Sequence, residues 1–89
     1  MEQPNKALRE LILFARAHNS YIDIGLDCNG KFWICIHDAY IRDGIALTDV
    51  DARGDTAEQA ANNYLFNVRF KELIFHPWNE QARKTVYVV

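Results

Sequence analysis

The feature that most constrains the fold is an Asn-Gly dipeptide between two alternating runs, in YIDIGLDCNGKFWICIHD from Tyr21 to Asp38. Asn-Gly is the strongest short signal for a turn between antiparallel strands. Two turn lengths compete here. A two-residue turn at Asn29-Gly30 scatters the apolar residues over both faces of the hairpin. A three-residue turn, Cys28-Asn29-Gly30 with a left-handed Gly30, collects them on one face, so burial selects the longer turn.

The longer turn fixes the pairing of the two strands. It places Asp27 opposite Lys31, a favourable cross-strand charge pair. The apolar face then carries Ile22, Ile24, Leu26, Phe32, Ile34 and Ile36, which we expect to pack inward together. The reverse face is amphipathic and carries Tyr21, Asp23, Gly25, Asp27, Lys31, Trp33, Cys35 and His37. Trp33 lies opposite Gly25, which leaves room for the indole.

Two segments have helical periodicity. The first runs from Pro4 to His18, and its proline suits a first helical turn. The second follows Thr56, which forms a capping box with Gln59. The apolar stripe of this second helix consists of Ala57, Ala60, Ala61, Tyr64, Leu65 and Val68. Its small residues predict a close approach to the sheet.

The remaining strands are shorter. One is predicted at Ile45–Val50, after a turn near residues 42–44, and others at Leu73–Phe75 and Thr85–Val89. The element order predicts one α+β domain over residues 1–89. It comprises an N-terminal helix, a three-stranded antiparallel sheet, a second helix and one or two C-terminal strands, with the helices on one face of the sheet.

Charge distribution argues against direct nucleic-acid binding. The net charge of the 89 residues is −2, but residues 20–58 hold eight acidic and three basic side chains. The middle is therefore acidic, and no basic stripe of the kind that binds phosphates is present. The sequence shows no secretory signal and no apolar run of membrane-spanning length. We expect a cytoplasmic protein with reduced thiols and no membrane partner.

No pattern points to a metal, a cofactor or catalysis. Cys28, Cys35 and His37 do not have the spacing of a structural zinc site. Cys35 and His37 share a strand face about 6–7 Å apart, too far for a direct nucleophile–base hydrogen bond. The glycines are isolated, so no phosphate-binding loop is indicated. The sequence therefore predicts a protein that is not an enzyme and binds no cofactor.

A protein-binding surface is the better hypothesis. Aromatic residues on an open face suit protein interfaces, and carboxylates can imitate the phosphates of a nucleic acid. The candidate contact residues are Tyr21, Asp23, Asp27, Trp33, Tyr40, Asp43, Asp49, Asp51 and Trp78. Both indoles have an alternative, burial: Trp33 beneath the C-terminal segment and Trp78 at the edge of the core. The strand Thr85–Val89 could also pair with a second copy and form a homodimer.

Two family resemblances bear on function. ARGDTAEQAANNYL resembles the helix-capping segment of HicB-type antitoxin domains, with a likeness over about residues 21–68. The matching residues are Gly54, Asp55, Thr56, Glu58 and Ala60. This resemblance implies an antitoxin that neutralises a small toxin.

The whole chain is also similar to small phage-encoded inhibitors of the anti-CRISPR type. The likeness lies in its size, its acidic character and its α+β element order. It implies a non-enzymatic inhibitor, acting in the host cytoplasm, that blocks a larger host protein or a nucleic-acid-handling complex by occupying its surface.

Overall fold

The computed structural model describes residues 4–89, which form two helices and seven strands. The helices are α1 (Lys6–Ala17) and α2 (Ala57–Val68). The strands are β1 (Ile22–Leu26), β2 (Phe32–Ile36), β3 (Ala39–Asp43), β4 (Ala46–Asp49), β5 (Ala52–Gly54), β6 (Glu72–Phe75) and β7 (Lys84–Tyr87). The α+β class is confirmed. The single sheet is wrong, because the strands form two antiparallel sheets.

The first sheet, sheet A, has the order β1-β2-β5, and the second, sheet B, has the order β4-β3-β6-β7. The predicted strand Ile45–Val50 corresponds to β4, but β4 pairs with β3 at the outside of sheet B. The third strand of sheet A is instead β5, which pairs with β2. The sequence does not predict β5, which has only three residues, or β3, which begins after only two residues that follow β2.

The predicted hairpin register is confirmed. Ile22 lies opposite Ile36, and Leu26 lies opposite Phe32. The Asp27 N–H donates to the Lys31 carbonyl oxygen at 2.9 Å, and Gly30 is left-handed with a φ of 76°. These contacts close the three-residue turn that burial of the apolar face selects.

Asp27 lies opposite Lys31 as predicted, and its charge helps to raise the pKa of Lys31, but the direct ion pairs of the two side chains are with other residues. The Lys31 ammonium pairs with Asp55, while Arg53 Nε lies 3.3 Å from Asp27 Oδ2. The cause is β5, which places Arg53 opposite Trp33 and so brings a second cation to the turn. A strand that was not predicted therefore rearranges the ion pairs.

Burial of the hairpin's apolar face is uneven. Ile34 and Ile36 on β2 are buried, but Ile24 is 44% exposed and Leu26 is 61% exposed. The expectation that all six apolar residues pack inward is therefore wrong for Ile24 and Leu26, whereas Ile22 and Phe32 are partly buried against the core. Helix α2 lies over β5 and β2, whereas α1 packs mainly on α2 and touches β1 along a short stretch. The helix-side face of sheet A is consequently uncovered at its β1 edge.

One hydrophobic core joins both sheets and both helices. Leu11 of α1, Ile34 of sheet A, Tyr64 of α2 and Phe75 of sheet B belong to the same buried cluster. Helix α2 approaches β5 closely, as its small residues predict. A Cβ added to Gly54 would lie 2.6 Å from the backbone nitrogen of Ala60. Any larger residue at position 54 would therefore push α2 off the sheet.

The two helices are capped by neighbouring residues of one segment. The predicted cap of α2 is confirmed, since the Gln59 N–H donates to Thr56 Oγ1 at 3.0 Å. Glu58, in the first turn of α2, has a role that the sequence does not predict. Glu58 accepts hydrogen bonds from the backbone N–H groups of Ala7 at 2.8 Å and Leu8 at 2.9 Å. Glu58 of α2 therefore caps the N-terminus of α1.

Candidate functional site

A cleft of about 380 Å³ lies where sheet A meets sheet B. We call it the acidic cleft. Its walls include the carboxylates Asp23, Asp38, Asp49 and Asp51, together with Cys35, His37 and Tyr40. No lysine or arginine lines it. Four of the predicted contact residues, namely Asp23, Tyr40, Asp49 and Asp51, therefore meet in one place.

The path of the chain builds this cleft. Asp23 and Cys35 are paired across the β1–β2 hairpin, and Cys35 is half-buried at the border of the core. After β2 the chain turns at Asp38, which is left-handed with a φ of 55°, and enters sheet B. It returns to sheet A through residues 50–51, between β4 and β5. Both crossings lie at the cleft, so residues far apart in sequence become neighbours.

The acidic cleft has a negative electrostatic potential. Burial raises the pKa of the Cys35 thiol, and the carboxylates of Asp23, Asp51 and Asp49 raise it further. Burial also raises the pKa of Tyr40, which lies on the opposite wall beside acidic neighbours. Burial disfavours charged forms of either sign, but the carboxylates add to the increase in pKa on both walls, and this part of the effect favours positively charged groups in the cleft.

Three of the cleft carboxylates are open to interaction. Asp49 forms no ion pair within residues 4–89. Asp51 Oδ2 lies 3.5 Å from Nη1 of Arg53, and both side chains are more than half exposed. Asp23 Oδ2 lies 3.5 Å from Nδ1 of His37, again with both side chains well exposed. Such exposed contacts are weak, so an incoming cation can replace them.

The fourth carboxylate, Asp38, holds the fold together. His76 Nδ1 lies 3.0 Å from Asp38 Oδ2, and His76 Nε2 lies 3.0 Å from the Asn19 carbonyl oxygen. Asn19, Asp38 and His76 are all left-handed, with φ values of 59°, 55° and 50°. One imidazole thus links the end of α1, the β2–β3 turn and the end of β6, and it fixes one wall of the acidic cleft.

Aromatic pairs lie on both sides of the acidic cleft. Tyr21 stacks on His37, with ring centroids 4.5 Å apart and planes 10° apart. On the other side, Tyr40 meets Trp78 edge-to-face at 5.0 Å. Trp78 is 74% exposed, so it does not plug the edge of the core. Three of the four predicted aromatic residues therefore flank or line the cleft.

The fourth, Trp33, lies on the outer face of sheet A beyond the cleft. As predicted, its indole lies across Gly25, where an added Cβ would be 2.8 Å from Trp33 Cε2 and Cζ2. Trp33 is half-buried, on the opposite side of the sheet from the core.

Two predicted carboxylates also lie outside the cleft. Asp27 Oδ1 accepts the N–H groups of Asn29 at 2.9 Å and Lys31 at 3.0 Å. The Lys31 hydrogen bond is the main cause of the lowered pKa of Asp27, so this carboxylate holds the hairpin turn. Asp43 is exposed at the end of β3 and lines a separate groove with Arg42.

Cys35, His37 and Asp38 complete the site but were not among the predicted contact residues. Strand alternation places Cys35 and His37 on the same face as Asp23, and this signal could have identified them. Asp38 had no such signal, because it lies at the crossing between sheets. Within residues 4–89, no three His, Cys, Asp or Glu side chains come together as metal ligands.

Comparisons with protein-family models, with curated proteins and with solved structures give no match for this chain. Over residues 4–89, neither helix combines the length and the apolar character needed to cross a bilayer.

Proposed function

We propose that this protein is a non-enzymatic inhibitor of phage type that binds a larger host protein or nucleic-acid-handling complex. The acidic cleft and its flanking aromatic pairs occupy a basic, nucleic-acid-binding surface of that partner. The observation that carries the proposal is the gathering of Asp23, Asp49 and Asp51 in a cleft lined by no lysine or arginine. The resemblance to anti-CRISPR proteins supports the same class of partner.

The chemistry of the acidic cleft suits arginine and lysine side chains. Carboxylates form charge-assisted hydrogen bonds with guanidinium and ammonium groups. The exposed ring of Trp78 offers a face for a cation–π contact, and exposed aromatic residues are common energetic anchors of interfaces. A negative cleft also steers a basic partner during encounter. The proposed surface therefore imitates a short run of nucleic-acid phosphates beside stacked bases.

Two features of the acidic cleft favour binding over catalysis. A catalytic cysteine needs a lowered pKa, but burial and three carboxylates raise the pKa of Cys35. The same carboxylates oppose formation of any anionic intermediate in the cleft. Cys35 is therefore proposed as a half-buried wall residue rather than a nucleophile.

The test is competition binding to purified CRISPR effector complexes, in which the protein displaces a labelled target DNA. We expect the double variant D49N/D51N to weaken binding at least about tenfold, because two carboxylate contacts are lost. D43N is the matched control, since it removes a carboxylate of the same central region outside the acidic cleft. The proposal fails if D43N weakens binding as much as D49N alone or D51N alone. It also fails if the protein binds no effector complex.

The alternative is a HicB-like antitoxin. In its favour, the segment Gly54–Ala60 forms the end of β5 and the capped first turn of α2, which is where that resemblance places it. A small basic toxin would also suit the acidic cleft. Gel filtration with a toxin encoded beside this gene distinguishes the two, because only an antitoxin co-elutes with it and restores growth of toxin-expressing cells.

A further inference from the structure

The open edge of β1 combines unpaired backbone groups with exposed apolar side chains. Sheet A ends at β1, and no other strand of residues 4–89 pairs with that edge. Ile24 and Leu26 project from the helix-side face of β1 and are 44% and 61% exposed. We propose that β1 pairs antiparallel with β1 of a second copy of this chain, which joins the two copies of sheet A into one continuous sheet.

The hydrogen-bond pattern shows which backbone groups are available. The Asp27 N–H donates to the Lys31 carbonyl oxygen at 2.9 Å, and the His37 N–H donates to the Tyr21 carbonyl oxygen at 2.8 Å. Because partners alternate along an antiparallel strand, the odd-numbered residues of β1 bond to β2. Ile22, Ile24 and Leu26 therefore direct their N–H and C=O groups at the open edge. The residues with available backbone groups are the ones with apolar side chains.

Symmetry and charge favour one of the three registers that are centred on the middle of β1. A twofold axis perpendicular to the sheet must pass between the same residue of the two copies, because opposite residues share a face. An axis at Asp23 sets two carboxylates against each other, and an axis at Gly25 sets Asp23 against Asp27. An axis at Ile24 sets Asp23 against Gly25 and avoids both repulsions.

The same register makes the most hydrogen bonds. Ile24 pairs with Ile24 of the second copy, and Ile22 pairs with Leu26 of the second copy. All three residues that face the open edge therefore find backbone partners in both chains. The apolar side chains meet across the axis and leave water, next to the two α1 helices.

The other sheet edges are less suited to self-pairing. Edge strands are usually protected by charged side chains, proline or brevity. The five residues of β1 include no lysine or proline, and their one charge, Asp23, lies on the face of the sheet opposite to Ile22, Ile24 and Leu26. In contrast, β7 begins with Lys84, β4 ends with Asp49, and β5 has only three residues. The pairing of Thr85–Val89 that the sequence suggests is thus the competing arrangement, and the experiment separates the two.

Sedimentation velocity over a concentration series measures the dimer directly. The wild-type chain should sediment as a dimer that dissociates on dilution. I24K and I24E should each be monomeric, because each sets two like charges against one another at the axis. An equimolar mixture of I24K and I24E should regain the dimer, because opposite charges then meet. The control I45K adds the same charge at a fully exposed residue of the β3–β4 turn and should remain dimeric.

L26K provides a second disruptive variant, since Leu26 is more exposed than Ile24 and tolerates a charge more easily in the monomer. Far-UV circular dichroism confirms that each variant is folded. The proposal is overturned if the wild-type chain is monomeric at every concentration up to about 1 mM. A dissociation constant above that concentration is too weak for a specific interface. It is also overturned if the mixture stays monomeric, or if Y87K on β7 abolishes the dimer while I24K does not. Asp23 belongs both to β1 and to the acidic cleft, but the two tests remain separable, because D49N and D51N change residues outside β1 and I24K changes a residue outside the cleft.

Discussion

Replacement of Glu58 by alanine should destabilise the protein through a helix to which Glu58 does not belong. The carboxylate on α2 accepts the backbone N–H groups of Ala7 and Leu8 in the first turn of α1. The side chain of Asn5, at the N-cap position of α1, makes no capping hydrogen bond. Glu58 therefore supplies the capping interaction that a local side chain usually provides.

The size of the effect follows from these two hydrogen bonds. A cap is worth about 0.5–2 kcal/mol, and an anion at a helix N-terminus adds about 0.3–1 kcal/mol. Because the side chain is only partly buried, we expect E58A to lower the free energy of unfolding by about 2 kcal/mol. E58Q keeps one acceptor oxygen and loses the charge, so we expect about half that loss. For a domain of this size, 2 kcal/mol corresponds to roughly 8–16 °C in Tm.

Urea denaturation followed by circular dichroism measures both variants, with E10A on the exposed side of α1 as the control. Hydrogen exchange adds a local readout, since the Ala7 and Leu8 amides should lose protection in E58A before the rest of α1 does. The reasoning is refuted if E58A unfolds within about 0.5 kcal/mol of E10A, the scatter of ordinary surface substitutions.

Three further predictions concern the sheet, the cleft and acid stability. G25A should displace the Trp33 indole, cost about 1 kcal/mol and shift tryptophan emission to the red; unchanged emission would contradict the close packing. D23N should lower the pKa of Cys35 and speed its alkylation by iodoacetamide at pH 8, because a carboxylate that disfavours the thiolate is gone; an equal rate would show that the cleft potential does not reach the thiol. Burial and the nearby Lys84 lower the pKa of His18 below the ordinary value of 6.5 for histidine. His18 is therefore protonated less readily in the folded state than in the unfolded chain. The free energy of unfolding is unaffected by His18 protonation above pH 6.5, and it decreases as the pH falls below 6.5 because protonation favours the unfolded chain. H18Q should lose less free energy of unfolding than the wild type between pH 7.5 and 5, and parallel pH profiles in urea denaturation would exclude the effect.

Local signals in the sequence were sufficient for much of the fold. The Asn29-Gly30 turn and the alternation around it determine the hairpin register, because a slip of one residue would move every apolar side chain to the wrong face. Thr56 and Gln59 likewise mark the start of α2 through neighbouring contacts. The division into two sheets could not be read in this way. It depends on the pairing of β3 with β6 and of β5 with β2, which are partners distant in sequence.

The site was predictable in composition but not in geometry. The acidic composition of the central region predicts Asp23, Asp49 and Asp51 as contact residues, but their spacing does not show that Asp23 meets the other two. The same criterion also selected Asp27 and Asp43. Hydrogen bonds engage Asp27 in the turn, and Asp43 lies outside the cleft. Charge thus indicates the kind of surface, while the crossing of the chain between sheets decides which carboxylates share it.

The two crossings between the sheets also link binding to the completion of folding. A chain in which only the β1–β2 hairpin has formed holds Asp23 and Cys35 but lacks the opposing wall. That wall appears when β3 and β4 dock and the chain returns through residues 50–51 to β5. Partly folded molecules therefore present no cleft to a basic partner, and the fraction of chains able to bind equals the fraction that has reached the native topology.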